Sequence, residues 1–339
     1  MELLDVQGLD EWAADQLPGT GSTRATKIEG GASNEMFLLE RDGRRAVLRR
    51  PPAHRTSKTS QDILRETKIL RALEATSVPV PRVLAVCEDD AVIGSPFYVM
   101  TFVDGFTPGD PLPEPFASDA GALRALCMAL IEGLASIANV DWRAVGLDGF
   151  GKPDGFLDRQ VPRWLTQLET YRTRDIPRLD DVASWLQSNT PRTSDPAIMH
   201  GDYQFINVMA ERDMPARLAA IVDWEQATIG DPLLDLGWVI AGWSEPGEEL
   251  RFGSRYLKDR TASPSRADLV KRYEELTGRD TSTLDYYIVL SLFKLACVLE
   301  GSYHRFATGK STHPMHERMG PLVLRAIEQA DHTARSGEW

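Results

Sequence analysis

Residues 198–238 read IMHGDYQFINVMAERDMPARLAAIVDWEQATIGDPLLDLGW. His200, Asp202 and Asn207 share one short polar stretch, and Asp223 closes the apolar run 218–222. Each alone is ordinary, since Gly-Asp pairs make turns and a lone Asn caps a helix. As an ordered set they supply a carboxylate able to accept a hydroxyl proton, an amide oxygen and a second carboxylate. The last two are hard ligands suited to Mg2+. Metal-assisted phosphoryl transfer needs that set, because it demands positioning and charge neutralisation more than covalent participation by the protein. On this reading Asp202 is the base, and Asn207 and Asp223 are metal ligands. His200 reads as a residue bracing the loop, and Asp231 and Asp235 in GDPLLDL as loop braces or helix caps.

The pattern differs on the two sides of position 104. Residues 1–20 read as a leading helix that ends at Pro18-Gly19. Between Lys27 and Leu39 a glycine turn separates two expected strands, and Ala46–Arg49 is a third that stops at Pro51-Pro52. Ile63, Ile69, Leu70 and Leu73 recur at helical spacing, which predicts a helix over 60–75. Val83–Val86 and Pro96–Phe102 read as strands, with Val92-Ile93 a further short one.

Beyond the Pro-rich crossing 108–115 the helical period takes over. Leu123, Leu126, Cys127, Leu130, Ile131, Leu134 and Ile137 form the stripe of a core-facing helix over 118–138. Helices are expected at 160–168, 182–186, 266–276, 284–306 and 314–330, with short strands around 208–222. The fold class is therefore α+β: a small antiparallel-sheet half with one helix, residues 1–103, and a larger mainly helical half, residues 104–339. A cleft between two such halves is the usual place for a ligand.

Bulk properties narrow the partners. The 339 residues are 42% hydrophobic and 26% charged, as in ordinary globular chains. A net charge of −12 argues against broad nucleic-acid binding, which requires a basic surface. The basic cluster Arg44, Arg45, Arg49, Arg50, Arg55 and Lys58 is either a nucleotide pocket or a solvated hairpin and loop. Cys87, Cys127 and Cys297 lie far apart with no metal-ligand spacing, so buried free thiols are expected and zinc is not. The start MELLDVQGLDEW lacks a basic-then-apolar leader, and no stretch approaches the roughly 18 apolar residues of a membrane span. These features predict a cytoplasmic protein without a membrane partner, as monomer or homodimer.

The set HGD-x4-N followed by VDWE-x4-GDP-x2-DLG resembles the aminoglycoside phosphotransferase family, which has a bilobal protein-kinase-like fold. The resemblance implies Asp202 as catalytic base and Asn207 and Asp223 as magnesium ligands, Asp223 standing where kinases have the Asp of Asp-Phe-Gly. In VLRRPP, Arg49 stands where the family has a strand lysine touching the α/β-phosphates, and Glu66 in ILRETKILRAL is its helix partner. Gly30-Gly31-Ala32-Ser33-Asn34 matches the loop over the phosphates, with Gly31 and Ser33 as contacts. Tyr98–Val103 matches the adenine-binding hinge, through backbone groups of Met100, Thr101 and Phe102. ATP with Mg2+ is the implied cofactor pair, and GTP stays open.

GLDGFGKPDGFLDRQVPRW and FKLACVLEGSYHRFATGKS resemble one branch, the phosphotransferase domains fused to acyl-CoA dehydrogenases and their stand-alone bacterial relatives. That branch has histidine where this chain has Asn139. The likeness runs over about residues 25–325. It implies transfer of the γ-phosphate to a hydroxyl of a small molecule, with a hydroxyacyl-CoA or another metabolite as acceptor. Two alternatives remain: an antibiotic-resistance kinase, and a kinase-like module that binds nucleotide without transferring phosphate. Candidate acceptor contacts are Arg163, Tyr203, Phe205, Trp238, Trp243, Tyr303 and Arg305, with core packing the readier reading of each aromatic. Gly309-Lys310-Ser311 imitates the end of a Walker A loop, but it follows a helical run and lacks the leading glycine.

Overall fold

The computed structural model describes residues 4–28, 34–52, 57–109, 111–192, 195–249, 251–252 and 261–339, with backbone alone for 57–62. The elements up to residue 107 are α1 (Val6–Gln16), β1 (Arg24–Ile28), β2 (Glu35–Arg41), β3 (Arg44–Arg50), α2 (Ser57–Leu73), β4 (Val83–Cys87), α3 (Asp90–Ile93) and β5 (Phe97–Thr101). Then come α4 (Ala120–Ala138), α5 (Gln160–Glu169), α6 (Leu179–Ser188), β6 (Ala197–Met199), β7 (Val208–Ala210), β8 (Leu218–Ile221) and β9 (Thr228–Gly230). Four helices end the chain: α7 (Leu233–Gly242), α8 (Arg266–Thr277), α9 (Leu284–Ala307) and α10 (Pro314–Ser336).

The chain separates into two compact units. The first comprises 1–107, 143–147 and 207–227; the second comprises 108–142, 148–206 and 228–339. A division at residue 103 or 104 thus differs from the observed one at two returning segments. The reason is backbone pairing: β7 joins β8, and Phe106 bridges Ala210, which ties 207–227 to the first unit.

In the first unit five strands form an antiparallel sheet in the order β1-β2-β3-β5-β4. The β2–β3 hairpin turns at Asp42-Gly43, both at positive φ, the conformation a two-residue hairpin of this hand requires. Strand β2 alternates, burying Phe37 and Leu39 against Leu48, Phe97 and Val99 under α1. The short strand expected at Val92-Ile93 is instead the end of α3. Asp89 accepts the Ala91 N–H and starts a helical turn that Gly94 closes in the left-handed region.

The second unit is mainly helical. Helix α4 follows its predicted stripe and is capped by Asp119. By length and hydropathy it could cross a membrane, contrary to the composition reading, but 61% of that window is buried in the protein, as in a core helix. Asn139 at its end donates to the Leu276 carbonyl at the end of α8 (3.0 Å), a packing contact. Strands β6 and β9 pair antiparallel, Met199 opposite Thr228, so the HGD stretch leaves one strand of a two-stranded ladder and GDP ends the other. Helix α7, absent from the sequence reading, follows at once and packs on α9. All three cysteines are buried and unbridged.

Candidate active site

Arg49 is the centre of the first unit's polar cluster. It lies on β3, 5% exposed, paired in register with Met36 and Tyr98. Its Nε sits 2.9 Å from Glu66 Oε2, and its Nη2 donates to Asp223 Oδ1 at 2.6 Å. Glu225 Oε2 is 3.8 Å from the same Nη2. Burial works against the guanidinium charge, but Glu66 and Asp223 outweigh it and hold the Arg49 pKa above its ordinary value. Burial also raises the Glu66 pKa, against the pull of Arg49. The Arg49–Glu66 pair expected from the sequence therefore forms, and in the interior.

Glu66 has a second task. Its Oε1 accepts the Trp224 N–H at 3.1 Å, so α2 fixes the turn that presents Asp223. Asp223 itself takes a left-handed backbone (φ 66, ψ 60), uncommon for a residue with a side chain. Trp224 anchors the turn by burying its ring and donating Nε1–H to the Ile221 carbonyl. The Val222 N–H donates to the Asn207 carbonyl at 2.9 Å, which makes Asn207 and Asp223 near neighbours across the β7–β8 ladder. Both carry oxygen donors, the right chemistry for Mg2+. Among the described residues no group of three or more His, Cys, Asp or Glu is placed to hold a metal ion.

Other nucleotide-side expectations fall as follows. Gly31 and Ser33 lie outside the described residues, as do Arg55 and the Lys58 side chain. Asn34, at the end of their loop, donates to Glu225 Oε2 at 3.1 Å. Met100 and Thr101 end β5, and Phe102 follows with the Arg45 guanidinium 3.9 Å from its ring centre.

The second unit holds the Asp202 loop. His200 is fully buried, and its N–H donates to Asp235 Oδ2 at 2.6 Å. The Gly201 N–H donates to Asp235 Oδ1 at 3.0 Å, so one carboxylate on α7 gathers two successive amides. Gly201 has φ +84, open to glycine without strain. The Asp202 N–H donates to His200 Nδ1 (3.3 Å), and Gln204 Nε2 donates to Asp202 Oδ1 (2.7 Å). Burial pushes the Asp235 carboxyl up to about 6, against the two backbone N–H groups and Lys294. Asp231 accepts the Leu233 N–H and the Tyr287 hydroxyl, tying the start of α7 to α9.

Lys294 on α9 escaped the sequence reading. Its ammonium donates to the Gly201 carbonyl at 2.8 Å and lies 4.9 Å from the Trp238 ring centre and 5.9 Å from that of Trp164. Burial lowers its pKa, while Asp202 and Asp235 hold it up and Arg163 lowers it further. Nothing local marks it, because a lysine in an apolar helical run reads as a solvated break. Several of the candidate acceptor contacts are core, the readier of their two readings. Tyr203, Phe205 and Trp243 are at most 2% exposed, with the Tyr203 hydroxyl on the Leu130 carbonyl and Trp243 Nε1 on the Pro264 carbonyl. Tyr303 packs under Arg174 and against Gly320 of α10. Trp238 is half-buried beside Lys294, and its Nε1 has no partner among the described residues.

The five-stranded sheet and helical unit are those of a kinase-like phosphotransferase. The phosphotransferase enzyme family profile matches residues 24–269, and the chain belongs to that family. A candidate aminoglycoside phosphotransferase from Ralstonia eutropha shares the fold with a TM-score of 0.81 and 30% identity, over 97% of this chain and 99% of that one. The aminoglycoside phosphotransferase APH(4)-Ia, in ternary complex with AMP-PNP and hygromycin B, shares the fold at 17% identity (TM-score 0.62, covering 97% and 98% of the two chains). Acyl-CoA dehydrogenase family member 11 of Gallus gallus is 32% identical over 340 residues, 96% of this chain. The chain spans 43% of that relative's length.

Proposed function

We propose that the chain transfers the γ-phosphate of Mg·ATP to a hydroxyl group of a small anionic metabolite, with hydroxyacyl thioesters of coenzyme A as the leading class. The carrying observation is the built Asp202 loop: Asp235 takes the N–H groups of His200 and Gly201, and Gln204 holds one Asp202 oxygen. A carboxylate fixed in this way serves as base for the attacking hydroxyl, a role worth about 10²–10⁴ in rate. Mg2+, held by Asn207 and Asp223, would neutralise charge on the phosphates.

On the nucleotide side, residues 1–103 supply Arg49, with Glu66 as its counter-ion, for the α/β-phosphates. Gly31 and Ser33 would cover the phosphates, and backbone groups of Met100, Thr101 and Phe102 would take the adenine. AMP-PNP in the APH(4)-Ia complex supports ATP, and GTP is tested beside it. Residues 104–339 bring Asp202 and the acceptor contacts.

The acceptor class rests on charge. Arg163 and Asp202 both act on the Lys294 charge, and the Trp164 ring lies 5.9 Å from the Lys294 ammonium and 5.1 Å from the Arg163 guanidinium, with Trp238 4.9 Å from Lys294. Two cations beside indole rings suit an acceptor with a negative group and an apolar body, and they disfavour a polycationic antibiotic. The Gallus gallus relative, by its name an acyl-CoA dehydrogenase, agrees with an acyl-CoA acceptor. We place the enzyme in the cytoplasm, as monomer or homodimer.

The test is product formation with Mg·ATP or Mg·GTP and a panel of hydroxyacyl-CoA thioesters, free hydroxy acids and aminoglycosides, followed by phosphorus NMR. Phosphorylated thioester that disappears with Asp202→Ala supports the reading. Aminoglycoside turnover instead would assign a resistance kinase, and ATP binding without any product a non-transferring module. Equal turnover by Asp202→Ala would remove the base assignment.

A further inference from the structure

The peptide just before Asp202 is held at both ends. Its Gly201 N–H donates to Asp235 Oδ1 of α7 at 3.0 Å. The Gly201 carbonyl accepts from Lys294 Nζ of α9 at 2.8 Å. Two helices thus fix the orientation of one glycine residue, at φ +84, where an unrestrained chain would rotate freely. The lysine is unusual for an anchor of backbone. An ammonium costs desolvation when taken into a helical core, and a neutral amide would make the same hydrogen bond at lower cost. In return a charged donor makes the stronger hydrogen bond, here on the peptide that precedes Asp202.

Asp202, Asp235 and Arg163 act on the Lys294 charge. Asp235 is already engaged by two backbone N–H groups. The Trp238 and Trp164 rings stand 4.9 and 5.9 Å from the ammonium. In such a setting the hydrogen bond to the Gly201 carbonyl meets little competition from water, so it holds the peptide in one orientation.

We infer that Lys294 is a positioning residue for phosphoryl transfer: from α9 it clamps the Gly201 peptide that aims Asp202. The catalytic half of this assignment rests on the phosphotransferase reading above. The clamp itself is independent of that reading.

The experiment compares the full chain with Lys294→Met, which keeps length and apolar stem, and Lys294→Arg, which restores charge and donor. Two readouts are taken. One is amide hydrogen exchange of the segment 198–206, with 44–50 on β3 as internal reference. The other is the split between kcat and KM for Mg·ATP turnover with water as acceptor, which needs no identified substrate. Lys294→Met is expected to speed exchange at Gly201 and Asp202 about tenfold and leave β3 unchanged. Its kcat is expected to fall about tenfold. KM for ATP should stay within about twofold, so the loss falls on kcat. Lys294→Arg should recover most of both effects.

Unchanged exchange at Gly201 and Asp202 in Lys294→Met overturns the clamp, and an unchanged kcat overturns the positioning role. A wild-type chain without Asp202-dependent turnover overturns the phosphotransferase reading and the catalytic half with it, while exchange still decides the clamp. If Lys294→Met fails to fold, Lys294→Leu, equally without a donor, decides: unchanged exchange at Gly201 overturns the clamp.

Discussion

Arg49 Nη2 lies 2.6 Å from Asp223 Oδ1, while Nε of the same guanidinium lies 2.9 Å from Glu66 Oε2. One planar side chain on β3 thus ties α2 to the turn that presents Asp223. A lysine ammonium is a compact point charge and cannot span both carboxylates in the same fork geometry. The arginine that departs from the family's strand lysine therefore does more than conserve charge. It adds a direct bond to the residue assigned to magnesium.

Removing that guanidinium should be severe. Arg49→Ala leaves Glu66, 2% exposed, without its counter-ion. Breaking a buried pair at one end typically costs about 3–5 kcal/mol. Urea unfolding should show a loss of that order. Arg49→Lys should fall between the two, since it keeps a charge for Glu66 but loses the second arm. Wild-type stability in Arg49→Ala would mean that Glu66 takes up its raised-pKa neutral form at no cost.

Asn207 and Asp223 should set the magnesium requirement. Asn207→Ala is the cleaner probe, because Asp223 also anchors Arg49. The Mg2+ concentration for half-maximal ATP turnover should rise about tenfold, equivalent to about 1.4 kcal/mol. Asp223→Asn should give a larger rise, since it removes a charge as well as a ligand. An unaltered magnesium dependence in both variants would take these residues out of the metal site.

The motif segments are more legible in the sequence than the scaffold beneath them. HGD-x4-N and VDWE are compact signals, and the helical stripes of α4, α8 and α9 emerge from their period. The partner of Arg49 is legible through Glu66 because both sit in recognisable segments. Lys294 is not legible, because its role depends on a Gly201 carbonyl 93 residues away in the chain. Helix α7 is missed for a related reason: nearly every residue in LLDLGWVIAG is buried, so no polar face marks its period. Tyr203, Phe205 and Trp243 are ambiguous in the sequence for another reason. Aromatic residues near a reactive loop have the same composition whether they line a pocket or fill a core.

Asp235 gives a pH prediction with a defined sign. Burial holds its carboxyl at about 6 in the folded protein, against an ordinary 3.8. Between those values the native state binds more protons than the unfolded chain, so this group's contribution to stability falls as pH rises. The contribution is fully present below about pH 4 and is lost through pH 6, with a total on the order of 3 kcal/mol. Asp235→Asn does not titrate. The stability advantage of wild type over Asp235→Asn, from urea midpoints, should therefore be larger at pH 4.5 than at pH 7.5. A gap that stays constant or widens with pH contradicts a raised Asp235 pKa.

The α7–α9 seam should couple packing to catalysis. A methyl group added at Gly237 would meet the Tyr287 backbone carbon at 2.7 Å, closer than real carbon contacts allow. The obstacle is main chain, so it cannot swing aside, and Gly237→Ala must push the two helices apart. Overpacking of this kind typically costs about 1–3 kcal/mol. The same two helices carry both ends of the Gly201 clamp, Asp235 on α7 and Lys294 on α9. The Asp231–Tyr287 hydrogen bond of 2.8 Å ties the residues just before α7 to α9. Separating them by even a few tenths of an ångström should lengthen hydrogen bonds that aim Asp202, whereas the Arg49 cluster belongs to the other unit. Gly237→Ala should therefore lower kcat of ATP turnover by more than about tenfold while leaving KM for ATP within about twofold. An equal loss in both parameters, or a drop in kcat no larger than the fraction of protein unfolded, would show that the seam supports the fold without steering the loop.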